Sequence, residues 1–308
     1  MDGVTLLRNL RQILSETSTG TWLDTKSSYD FLYQAAVKTT ERTNAITSTQ
    51  TITTVADQSA YTLNGDFLKL YLMDDQNRYF IKYYNGSGTY WIYWASYDSI
   101  VLANNTTATS VPSVFSIRDA SEISRLTGTV TSAGALSNGE ATLTDSAAPF
   151  TNVYTGDQVH NTTDSANGIV IVKTSTSVLI TAMFDGTDND WDSSDAYIIM
   201  PQMRFQLVLD PPSSTSGHTI TVHYVQKPAP VYSSFRSYKL DSRLKNALVN
   251  YAAWLYKYRD RNPNFGDTFY RIWDTEIRQF ARQLNKTRGG PTFGVNFIKR
   301  SYGDRTIK

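Results

Sequence analysis

Acid–base and nucleophilic catalysis need a positioned base, most often histidine, and this chain of 308 residues holds only His160, His218 and His223. His218 and His223 flank one run of β-favouring residues. Side chains alternate across a strand, so a separation of five sends the two rings to opposite faces, which is wrong for a shared metal. His160 has no second ligand type beside it. The chain has no cysteine, which removes thiolate nucleophiles, zinc–thiolate sites, iron–sulfur clusters and disulfides. It carries neither a Gly-rich phosphate loop nor a Gly-x-Ser-x-Gly elbow. The one dense carboxylate group is Asp185, Asp188, Asp190, Asp192 and Asp195 around Trp191. Alternating aspartates can offer oxygen ligands to calcium, but the glutamate that closes a twelve-residue calcium loop is missing; a solvated acidic turn over a buried Trp191 is the other reading. The expectation is a protein that is not an enzyme, with no catalytic residue, no metal site and no cofactor.

What the chain has in excess is aromatic surface. Aromatic residues make up 13% of it, including 20 Tyr and 6 Trp, while charged residues are held to 19%. That balance points to β-rich folds and large contact surfaces. The segments Tyr79 to Tyr84 and Tyr90 to Trp94 place aromatics on both alternating faces. A sugar-binding platform and a subunit interface both fit such strands. Because protein must cover at least one face, the interface is favoured.

The net charge of +1 conceals a separation. Residues 1–235 hold 13 Lys/Arg against 22 Asp/Glu, and residues 236–308 hold 16 against 6. Within the first part, residues 127–200 contain nine acids and one base, Lys173. The two ends of the molecule are expected to face different partners.

Periodicity supplies the elements that must position these residues. Leu7, Leu10 and Leu14 form an apolar helical stripe, and Tyr29, Leu32, Tyr33, Ala36 and Val37 form a second, with Asp24 or Ser27 as cap. From Gln50 to about Arg118 the period changes to two, with a hairpin turn at Asn85-Gly86-Ser87-Gly88. Short Thr/Val/Ile runs between about Leu126 and Met200 read as a separate small sandwich or barrel. Strands resume at Arg204 to Leu209 and Thr219 to Val225. Helices follow, one from an Asp241 cap and one after Asn262-Pro263-Asn264. The expected fold class is α+β: a helical bundle from the N- and C-terminal helices packed with an antiparallel β domain, plus an inserted small all-β domain. The expected division is a core of 1–123 and 204–290, an insert of 124–203 and a basic arm of 291–308. No run approaches the roughly 20 apolar residues that span a bilayer, and Met1 to Leu14 lacks the apolar run of a signal peptide, so no membrane insertion and folding in a cytoplasm are expected.

The order of these segments resembles the head-to-tail adaptor, or connector, proteins of tailed, especially short-tailed, bacteriophages. The likeness rests on Leu7-Arg8-Asn9-Leu10, Trp22-Leu23, Ala35-Ala36, the segment Ala56 to Leu63, Leu207 to Pro212, Thr219 to Tyr224 followed by Pro228, Ala247 to Ala253, and a last helix with Phe269, Trp273 and Glu276. It covers about residues 1–123 and 204–290, and the insert has no counterpart in compact family members. The resemblance implies a virion structural protein at the head–tail junction, assembled in the host cytoplasm. It would form a ring, commonly twelve-fold, that docks on the portal protein, carries the tail or nozzle protein and lets double-stranded DNA pass. Another tail component, such as a tube or fibre-attachment protein, and a carbohydrate-binding protein are the alternatives.

Two contact sites are expected on this reading. In the basic arm, Phe293, Val295 and Phe297 alternate like a strand seeking an edge, and Lys299, Arg300, Tyr302 and Arg305 accompany them, suiting contact with the portal or a neighbouring subunit. In the insert, Asp188, Asp190, Trp191 and Asp192 are expected to form a peripheral contact loop for tail fibres.

Overall fold

The fold was obtained as a computed structural model, which describes residues 1–15, 24–103, 107–120, 124–202, 204–233, 235–259 and 263–287. Helix α1 (Gly3–Ile13) begins where the Asp2 carboxylate accepts the Thr5 amide at 2.7 Å, and α2 (Thr25–Thr43) begins where Asp24 accepts the Ser27 amide at 2.6 Å. Each aspartate satisfies an amide that the first helical turn leaves without a partner.

Strands β1 (Thr47–Thr53), β2 (Ala60–Thr62), β3 (Phe67–Leu70), β4 (Phe80–Tyr84) and β5 (Thr89–Trp94) follow, then a short helix α3 (Tyr97–Ala103) and β6 (Val114–Asp119). The chain next builds β7 (Leu126–Thr129), β8 (Ala141–Thr144), β9 (Gln158–Asn161), β10 (Ala166–Lys173), β11 (Val178–Phe184) and β12 (Ala196–Met200). It returns with β13 (Phe205–Asp210) and β14 (Thr219–Gln226), and ends in α4 (Lys245–Arg259) and α5 (Pro263–Thr287).

These strands form two sheets. The eight-stranded sheet runs β1-β14-β4-β5-β6-β13-β2, with β3 also paired to β14. Its pairs are antiparallel except β5–β6, and there α3 lies in the crossover that a parallel pair requires. The sheet curls until its edges β1 and β2 meet. At that seam the Gln50 side chain stands in for a ladder: its amide nitrogen donates to the Thr62 carbonyl at 3.2 Å and its oxygen accepts the Asn64 amide at 2.9 Å. The six-stranded sheet runs β7-β12-β9-β10-β11-β8, and it curls until the Thr131 amide, just beyond β7, donates to Thr144 of β8 at 2.8 Å. The chain leaves for this second sheet after β6 and rejoins at β13, where Phe205 lies opposite Asp119.

Three apolar clusters result. Tyr61, Leu63, Ile81, Tyr83, Phe115 and Tyr224 fill the eight-stranded unit, and Leu143, Phe150, Val170, Leu179, Trp191 and Tyr197 fill the six-stranded one. The third joins α1, α2, α4 and α5 through Leu6, Leu10, Leu32, Leu248 and Trp273, and it takes in Ile169, Ile171 and Ala182 from β10 and β11.

The expectation of a helical bundle packed with an antiparallel β domain is therefore corrected. The chain is mostly β, 34% strand against 29% helix, in two curled sheets, and the fold is not based on a helical bundle. The physical reason lies in the curling. Each sheet closes over its own apolar interior, so the helices bury their stripes chiefly against one another, and only Ile169, Ile171 and Ala182 on the outer face of β10 and β11 join that cluster. Strand β10 is consequently apolar on both sides, with Val170 pointing into the barrel and Ile169 and Ile171 toward the helices. This explains its unbroken Ile169-Val170-Ile171-Val172 run.

Helices α4 and α5 are antiparallel. Tyr251 meets Trp273 with ring centroids 4.7 Å apart, and Trp254 meets Tyr270 at 5.1 Å, so one index falls as the other rises. The Trp273 indole donates to Thr39 Oγ1 at 3.1 Å and ties α5 to α2. Asp241 caps a 3₁₀ turn, Ser242–Leu244, that leads into α4.

Two ion pairs fasten the six-stranded unit to the rest. Arg204 grips both oxygens of Asp157 at 2.7 and 2.6 Å with both side chains buried, and its guanidinium lies 4.7 Å from the Tyr154 ring. Tyr154 in turn lies on Gly65, where a Cβ would come within 2.6 Å of the ring. Glu140, entering β8, accepts from Arg236 at 2.9 Å and from the Ser233 hydroxyl at 2.7 Å.

Candidate functional site

The histidines form no reactive group. His218 Nδ1 lies 2.7 Å from the buried Tyr83 hydroxyl, which is also 2.7 Å from Ser213 Oγ. Ser213 is fully buried, so this serine is closed to a substrate. His223 faces the outside of the eight-stranded unit with Nδ1 3.0 Å from Thr49 Oγ1, and its Nε2 has no partner. Burial, then the neighbouring Lys82 cation, push its pKa down. His160 is bound to the Ala166 carbonyl at 2.9 Å.

A cleft of about 440 Å³ lies between α2 and strands β9 and β10. Its one carboxylate, Asp30, is already engaged by the Tyr232 hydroxyl and by Lys26 at 3.0 Å. Burial pushes the adjoining Tyr33 phenol up to about 12.

Of the expected acidic loop, Asp188 and Asp192 are exposed and Asp190 is half-buried. Partial burial and then the Asp188 and Asp192 charges raise the Asp190 pKa. Trp191 is fully buried, with its indole donating to Thr181 Oγ1 at 2.9 Å, so the surface of this loop is made by the aspartates. Asp195 points inward and accepts from Asn161 at 3.0 Å and from the Asp192 amide at 2.8 Å. Among the described residues no three His, Asp or Glu side chains are grouped to hold a metal ion. The arm residues Phe293, Val295, Phe297, Lys299, Arg300, Tyr302 and Arg305 lie outside the described residues.

The feature that stands out is the exterior of β4 and β5. Ile81, Tyr83 and Ile92 point inward, and the opposite parity carries Phe80, Lys82, Tyr84, Trp91 and Tyr93 outward. Phe80 meets Trp91 edge to face at 4.8 Å, Lys82 Nζ lies 5.2 Å from the Trp91 ring, and Arg78 lies 4.5 Å from that of Tyr93. These contacts pre-order the side chains, yet Trp91 remains 47% exposed. At the strand ends Tyr90 and Trp94 are also exposed, although they share the inward parity of Ile92, and α3, packed beside β6, leaves Val101 and Leu102 in water, the latter 85% exposed. No residue of α3 is buried. It is held over the sheet by the Tyr97 hydroxyl, which accepts from Arg118 at 2.7 Å.

The strands of this face were legible as aromatic runs of mixed parity. Helix α3 was not. Its seven residues are too few to show a helical period, and the available signal was only that Ile100, Val101 and Leu102 follow a Trp-rich strand.

No helix among the described residues is long and apolar enough to cross a membrane. The chain matches no model of a known protein family and no curated protein sequence.

Proposed function

We propose that this chain is a virion structural protein, a head-to-tail adaptor subunit that works in a ring between portal and tail and leaves a passage for DNA. The observation that carries this reading is the exposed aromatic face of β4, β5 and α3. Monomeric proteins rarely leave a large contiguous apolar patch in water, and a pre-ordered group of Trp and Tyr rings with a cation among them has the composition of an interface core. A ring subunit needs such lateral surface, whereas catalysis would need a cleft with a free, positioned acid or base. Separation of charge along the chain supports a polarised assembly whose two ends meet different partners. The basic segment 291–308 then serves as the arm that engages the portal.

Sugar stacking on Trp91 has weaker support, because Lys82 lies over that ring. The test is sedimentation and negative-stain imaging at micromolar concentration, alone and with a portal ring. Closed rings of uniform diameter are expected under at least one condition, and removal of residues 291–308 should abolish portal attachment while the fold persists. Monomers under both conditions would overturn the proposal.

A further inference from the structure

We infer that the aromatic face of β4, β5 and α3 is the receiving half of a head-to-tail contact, and that its occupant is the acidic six-stranded unit of a second copy of this chain. The inference rests on the ring reading above and specifies the contact that closes it.

Two surfaces could meet in a self-association, like with like or unlike with unlike. A like-with-like contact centred on Trp91 would bring two copies of Lys82 together. Lys82 has no carboxylate partner among the described residues, and the field of this one cation already depresses the neighbouring His223. Burying two such cations face to face is costly, since desolvated like charges repel strongly. Arg78, at the edge of the face, is neutralised locally by Asp74 at 2.9 Å and adds no compensation.

The other surface is on the same chain. Residues 127–200 carry nine acids against Lys173 alone. Of these, Glu140, Asp145, Asp157 and Asp195 are buried, Glu140 being paired with Arg236, and Asp164 is half-buried. The excess that reaches solvent gathers at Asp185, Asp188, Asp190 and Asp192, where Asp190 is held partly buried between like charges. A lysine brought to that loop relieves the repulsion, and the aspartates give Lys82 the counter-charge it lacks. The contact is thus attractive in the unlike arrangement and repulsive in the like one. Unlike surfaces repeat around a ring.

Charge reversal tests this. Lys82→Glu alone, and Asp188→Lys with Asp190→Lys and Asp192→Lys together, should each weaken self-association at least tenfold in sedimentation equilibrium of the full chain. The chain carrying all four changes should regain assembly, because the attraction is restored with its sign inverted. Circular dichroism and thermal melting of each variant keep loss of fold distinct from loss of contact. If the wild-type chain assembles and single-sided reversals leave it unchanged, or if the combined variant stays dissociated, this contact is wrong and the ring reading survives. A wild-type chain that never self-associates, alone or on a portal, overturns both.

Discussion

The two curled sheets solve the same problem with opposite treatment of their large aromatics. In the six-stranded unit Phe150, Trp191 and Tyr197 are all inside, each almost wholly excluded from water, and the outer apolar residues Ile169 and Ile171 are covered by the helices. Even the polar tips are satisfied there: the Tyr197 hydroxyl donates to Asp145 at 2.6 Å and the Trp191 indole to Thr181. In the eight-stranded unit Tyr84, Tyr90, Trp91 and Trp94 are left outside. Buried aromatics report how one subunit holds itself together. Exposed ones, such as Trp91 held against Phe80 and Lys82, mark where something else must arrive.

The contrast can be broken at its strongest point first. Trp191→Ala removes a fully buried indole and the donor that Thr181 Oγ1 accepts from, while that hydroxyl still donates to the Ala141 carbonyl; it should cost about 4 kcal/mol in urea unfolding. A loss below about 1 kcal/mol would mean the six-stranded interior is not packed as described. Next is the join between the units. Arg204→Met strands the buried Asp157 carboxylate and should cost about 3 kcal/mol. Adding Asp157→Leu should recover only part of this, because Asp157 also accepts the Tyr154 and Gln202 amides. Full recovery would show that those amide bonds contribute nothing.

A smaller effect belongs to pH. The His223 pKa is depressed, by burial first and Lys82 second, so below about 6.5 the unfolded chain binds the proton more readily than the folded one. Its contribution to stability is complete above that pH and is lost as the pH falls. His223→Gln should flatten the decline in melting temperature between about pH 7.5 and 5, and an unaltered slope would place the titrating group elsewhere. The smallest effect sharpens the contrast most. Trp91→Ala should change the unfolding free energy of the isolated subunit by no more than about 0.5 kcal/mol, against the large cost at Trp191.

Local chemistry was readable in the sequence wherever it was decided locally. Asp24 and Asp241 cap as their positions suggest, the Asn85 side chain closes its hairpin by accepting the Ser87 and Gly88 amides, and β12 falls at Ala196–Met200. What was not readable is which surfaces meet. An apolar helical stripe shows that it must be covered, and nothing in it says which helices cover it or that Ile169, Ile171 and Ala182 of a distant segment join them. Strand β9 escaped notice because Gln158-Val159-His160-Asn161 is polar at three of four positions, and pairing with β10 and β12 on both sides is what makes it a strand. The aromatic face was visible as composition, while α3, which completes it, was too short to announce itself.

The Glu140–Arg236 pair has a mechanical meaning. The chain crosses into the six-stranded unit and back over two neighbouring strands, β6 and β13, and a body hung on two parallel cords side by side is free to swing about them. The buried Arg204–Asp157 pair sits at that neck, and Arg236 supplies a further attachment through Glu140 at the start of β8. It turns a hinge into a bracket. The Arg236 carbonyl accepts the Gly3 amide at 3.0 Å, so torque applied to the acidic unit passes into the first helix instead of being spent on rotation at the neck.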